Sequence, residues 1–139
     1  MKTKKLICLI CAAVLLAAAS LGLSSCDINR LPGEYKLKSV VDSDSQETLE
    51  SYEYYKLSLT VTTEKREKSQ RYQMSYKKKN GESGLSEGDW VYEKKDFSFI
   101  HTQFDDLSDS ESWDKKSKTI TLVRYDGARV RTYEFILIE

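Results

Sequence analysis

The sequence predicts an all-β fold, a single antiparallel up-and-down barrel of about seven to eight strands with one short helix between the first two. Three observations carry this. Hydrophobicity alternates with period two almost throughout residues 33–139, the mark of strands with one buried face. Pairs that tolerate positive φ, Asn80-Gly81 and Asp126-Gly127, separate such runs and suit type I′ hairpins. The connections are mostly short, which forces neighbouring strands antiparallel. A meander of that kind hides its apolar face by closing into a barrel or by folding over as a sandwich; the barrel is preferred here, because a Greek-key sandwich needs a long crossing connection and only Asp42 to Tyr54 and Asp105 to Asp114 offer one.

The first strand is read from Tyr35, Leu37 and Val41 against Lys36 and Lys38. Ser45 to Tyr55 reads as the helix, with Asp44 as its cap and Glu47 at the third position of a capping box. Tyr55, Leu57, Leu59 and Val61 alternate with Lys56, Ser58, Thr60 and Thr62 to give the second strand, and Tyr72, Met74 and Tyr76 mark the third. Trp90 and Tyr92, then Phe97 and Phe99, follow on either side of a tight Lys94-Lys95-Asp96 connection. The acidic stretch FDDLSDSESWD, ending at Asp114, reads as a solvated loop. Ile120 and Leu122 define the next strand, and the run Val130 to Ile138 reads as a more deeply buried last one.

The segment before the barrel has a different composition. Lys2, Lys4 and Lys5 precede an apolar run from Leu6 to Ala19 and then small residues, the pattern of a secretory signal. Its end, Leu23-Ser24-Ser25-Cys26, resembles the lipobox of bacterial lipoproteins: a branched aliphatic residue, two small residues and an invariant cysteine whose thiolate takes up the lipid. The resemblance implies removal of residues 1–25, a lipidated Cys26, a tether over residues 26–32, and a barrel domain over residues 33–139. Several acyl chains, each buried methylene contributing roughly 0.8 kcal/mol, hold such a protein to its membrane. The expected location is therefore the cell membrane or envelope, lipid-anchored and extracytoplasmic.

Two consequences follow for the mature chain. Cys8 and Cys11 leave with the signal, so Cys26 has no cysteine partner within the chain and the domain rests on its hydrophobic core. Loss of Lys2, Lys4 and Lys5 from a chain with 22 basic and 22 acidic residues leaves an acid excess of 3. That balance argues against nucleic acid as a partner.

Gly33-Glu34-Tyr35 and Gly88-Asp89-Trp90 resemble the Gly-x-Trp strand openings of small lipocalin-like domains in bacterial lipoproteins. That resemblance implies a barrel able to hold one small apolar ligand, lined here by Tyr35, Leu37, Leu57, Leu59, Trp90 and Phe99. Nine tyrosines and two tryptophans enrich the chain. Tyr52 and Trp113 stand clear of the alternation and are the expected loop contacts. The alternative is a solid-core domain that binds an envelope protein through its loops.

Catalysis is not expected. His101 is the one histidine; no nucleophile elbow accompanies it, and one histidine with a blocked cysteine cannot furnish a zinc set. The acidic stretch lacks the glycine and terminal glutamate of an EF-hand, so no metal and no cofactor is predicted. Lys77 to Lys79 and Lys115 to Lys118 read as strand-end lysines that guard against edge-to-edge pairing.

Overall fold

The computed structural model describes residues 27–100 and 108–139. The expected signal-cleavage motif Leu23, Ser24 and Ser25, the expected lipidation residue Cys26, and His101 lie outside the described residues. The chain divides into two compact units, Met1–Leu31 and Pro32–Glu139. All eight described strands belong to the second: β1 Gly33–Asp42, β2 Tyr52–Glu64, β3 Glu67–Lys78, β4 Ser83–Glu93, β5 Asp96–Ile100, β6 Ser110–Asp114, β7 Thr119–Asp126 and β8 Arg129–Leu137.

They form one antiparallel sheet in the order β5-β4-β3-β2-β1-β8-β7-β6. Each strand from β1 to β5 pairs with the next in sequence, as do β6 to β8, and β8 returns to β1, which wraps the meander into a nearly closed barrel. Its two ends, β5 and β6, lie alongside one another without ladder pairing among the described residues. Nearby, Tyr92 of β4 packs edge to face on Trp113 of β6, ring centroids 5.5 Å apart. The expected all-β up-and-down architecture is what forms.

Alternation explains the core. Tyr35, Leu57, Leu59, Tyr72, Met74, Trp90, Ile120, Leu122 and Phe135 point inward and are essentially fully buried. Trp90 packs on Phe97, Phe97 on Phe99, and Phe99 on Tyr72 at 4.3 Å. The Trp90 Nε1–H donates to the carbonyls of Thr60 and Arg71, which satisfies the one polar atom of that side chain. Tyr72 lies directly across the ladder from Gly88, and Tyr76 from Gly84. Each ring lies against its glycine closely enough that a Cβ there would come within 2.5–2.7 Å of it, so these glycines make room for aromatic neighbours.

Several expectations are corrected. The helix over Ser45 to Tyr55 shrinks to a 3₁₀ turn, Leu49–Ser51, with Thr48 as its N-cap; Tyr52 to Tyr55 instead extend β2, where their ladder to β3 outweighs a weak local helix signal. Asp44 caps nothing helical, because it is Asp42 that gathers the following backbone. An irregularity between Leu37 and Ser39 in the β1–β8 ladder reverses the alternation, so Val41 is 65 % exposed and Asp42 is buried. A second one between Tyr52 and Tyr54 turns Tyr52 and Tyr55 inward and leaves Tyr54 outside.

The strand that the alternation does not announce, β6, lies in the acidic stretch. Its Ser-Glu-Ser-Trp-Asp alternation carries a single apolar residue, so pairing with β7 rather than local hydrophobicity defines it. Val130 to Ile138 is not uniformly buried; Arg131, Tyr133 and Phe135 face in and alternate with half-buried neighbours.

The hairpins also differ in kind. Asn80-Gly81 sits in a longer loop, in which the Gly81 N–H donates to the Lys78 carbonyl and only Gly81 has positive φ, as in a type I turn with a bulge. Gly127 and Ala128 are the loop residues between Asp126 and Arg129, and positive φ at Gly127 alone matches type II′. The type I′ geometry appears instead at Lys65-Arg66 and Lys94-Lys95, with both residues at positive φ.

Candidate functional site

The polar end of the barrel is built by the connection between β1 and β2. The Asp42 carboxylate ends β1 and accepts backbone N–H groups of Asp44, Gln46 and Glu47 at 2.9–3.2 Å, and the Arg129 guanidinium adds two further donors. The Arg129 pair holds the Asp42 carboxyl well below its ordinary range. This fixes the 43–51 connection and delivers the Glu47 side chain into the barrel end.

Glu47 receives hydrogen bonds from Tyr133 Oη at 2.7 Å, Lys78 Nζ at 2.8 Å, Tyr52 Oη at 3.0 Å and Arg131 Nη1 at 3.4 Å. Burial alone would raise its pKa, but the bonds from Lys78, Tyr133 and Tyr52 prevail and hold it down at about 2. The same burial pushes Tyr133 up to about 12 and raises Tyr52 as well. Lys78 is thus part of a buried ion network and not the solvated guard its sequence context suggests. A polar depression of about 490 Å³ lies over this network, lined by Gln46, Glu47, Ser51, Lys78, Lys79, Asn80 and Arg129.

A second concavity opens in the barrel wall. The β1–β2 ladder runs from Gly33↔Leu59 to Lys36↔Lys56 and stops. Beyond it β1 stays with β8, through Asp42↔Arg131, and the start of β2 stays with β3. The strands part because the irregular rungs on both redirect them. The gap is a groove of about 270 Å³ lined by Lys36, Leu37, Leu49, Tyr52, Glu53, Tyr54, Tyr55 and Lys56. Its floor is aromatic: Tyr52 and Tyr55 are in ring contact at 5.2 Å, and Tyr55 meets Phe135 edge to face at 4.9 Å. No protein-family model, curated protein or solved structure matches the chain.

Among the expected ligand-lining residues, Leu37 lies on this groove. Tyr35, Leu57, Leu59, Trp90 and Phe99 lie in the packed interior instead. The two expected loop contacts are corrected. Tyr52 is a buried strand residue bonded to Glu47, placed inward by the irregular rung beside it. Trp113 belongs to β6 and packs on Tyr92. Nothing in the sequence marks Asp42, Arg129, Arg131 and Lys78 as interior groups. Glu47 reads in the sequence only as a capping residue, since nothing local marks partners that arrive from 31 and 84 residues away.

Proposed function

We propose that this protein is a lipid-anchored component of the bacterial cell envelope, held outside the cytoplasm by acyl chains on Cys26, and that its barrel is a small binding domain without catalytic activity. The ligand is a small molecule with an apolar body, held in the groove between β1 and β2. The observation that carries this reading is the groove itself, where Leu37, Leu49, Tyr52, Tyr54 and Tyr55 form an apolar and aromatic lining open to solvent. Its volume lies near the small end of ligand sites. The barrel centre supports binding less well, because its inward rings are already in contact with one another.

Native mass spectrometry of residues 27–139 after exposure to host envelope extract tests the binding role. A stoichiometric small-molecule adduct that disappears in Leu49→Glu is expected; Leu49 is already 41 % exposed, so that variant keeps its fold. A clean apo mass would overturn the reading. Cys26→Ala tests the anchor separately, by moving the protein from the membrane to the soluble fraction.

The alternative, a protein-binding module, draws on a different observation. Val41, Leu85 and Tyr125 are each more than half exposed and lie toward the same end of their strands as the polar depression. A stable envelope partner lost on Leu85→Lys would favour it.

A further inference from the structure

Lys36 and Lys56 are directly opposite one another on the last rung of the β1–β2 ladder. Directly opposite residues share a face of the sheet, and like charges there are destabilising. Both lysines are exposed and both line the groove. Neither has an ion-pair partner among the described residues. The carboxylates nearest in register are engaged elsewhere or do not reach: Glu53 holds Lys77 at 2.7 Å, Glu134 accepts from Ser39 and faces Lys38, and Glu34, two residues along β1, forms no ion pair with either lysine. The Lys56 ammonium instead lies 5.6 Å from the centroid of the Tyr54 ring, on the groove wall. Two cations thus meet where the barrel wall opens onto an apolar lining.

We propose that Lys36 and Lys56 form an anion clamp at the rim of the groove, so that its ligand is a single-chain amphiphile: an anionic head held between the two ammonium groups and an apolar tail along Leu37, Leu49 and Tyr54. The inference rests on the groove being the binding site and names the chemistry of what it binds. The bound head relieves the repulsion that the free protein carries, which couples affinity to charge at this one rung. An uncharged amphiphile of the same length finds the apolar lining but not the clamp.

The test uses residues 27–139, which hold all eight strands, titrated with decanoate and with decanol and followed by backbone amide chemical shifts. Decanoate is expected to bind about tenfold or more tighter than decanol, the worth of one charge-assisted contact, with shifts centred on residues 36, 37, 49 and 54–56. The Lys36→Gln, Lys56→Gln double variant should bring decanoate down to the decanol level and leave decanol unchanged. The same variant should melt at a higher temperature than the wild type, the opposite sign from its effect on decanoate binding, whereas lysines with only a structural role would give no decanoate effect. Equal affinity for the two probes in the wild type, or shifts away from the groove, overturns the clamp. Binding of neither probe overturns the groove as an apolar binding site and the clamp with it.

Discussion

Replacing Glu47 with Ala removes the carboxylate on which four donors from β2, β3 and β8 converge. The side chains of Glu47, Lys78 and Arg131 are only 10–15 % exposed. Without Glu47, Lys78 keeps Glu82 at 3.1 Å, itself half exposed, and Arg131 keeps Asp126 at 3.9 Å. Arg131 Nε is already buried with no hydrogen-bond partner. Breaking a buried pair from one side costs about 3–5 kcal/mol, a large share of the roughly 5–15 kcal/mol that holds a domain folded. Glu82→Ala, which removes the exposed partner of the same lysine, should cost about 1 kcal/mol or less. Urea unfolding at pH 7 measures both, as a fall in midpoint at unchanged slope. The network also sets a pH dependence. The folded pKa of Glu47, about 2, lies below its ordinary value of 4.5. Its stabilisation is therefore fully present above pH 4.5 and lost as pH falls toward 2, on the order of 2 kcal/mol once solvent screening is allowed for. Glu47→Gln should lack that acid-sensitive component. A Glu47→Ala cost below about 1 kcal/mol, or identical acid profiles for wild type and Glu47→Gln, would refute the network as a stabilising element.

Gly88→Ala should destabilise by about 1–3 kcal/mol in the same urea assay, the usual cost of overpacking, because a Cβ would lie 2.7 Å from the Tyr72 ring and 3.0 Å from the Ile100 carbonyl. Gly84→Ala should cost less, although its Cβ would come to 2.5 Å of Tyr76, since it meets only the outer end of that half-buried ring, whereas at Gly88 the Ile100 backbone is also in the way. Lys94→Asn with Lys95→Gly should raise the melting temperature in calorimetry, by relieving about 1 kcal/mol of left-handed backbone strain at residues with φ of 51° and 69°. Leu49→Glu should leave urea stability within about 0.5 kcal/mol of wild type, as an exposed substitution does, while abolishing any small-molecule adduct.

The class of fold and most of the core are legible in the residues alone. Alternation belongs to the local chain: once Leu57, Leu59, Tyr72, Met74, Ile120 and Leu122 share a parity with their neighbours, a half-buried antiparallel meander is the structure that hides them. Where that parity breaks depends on how the strands pair. The irregular rungs at Leu37/Ser39 and Tyr52/Tyr54 arise between strands, so nothing within β1 or β2 announces that Val41 turns out, that Asp42 and Tyr52 turn in, or that the two strands part into a groove. The buried charges follow the same logic. A glutamate at position 47 reads as solvated until Lys78, Arg131 and Tyr133 arrive from distant parts of the chain, and only their donors offset the cost of taking its charge out of water.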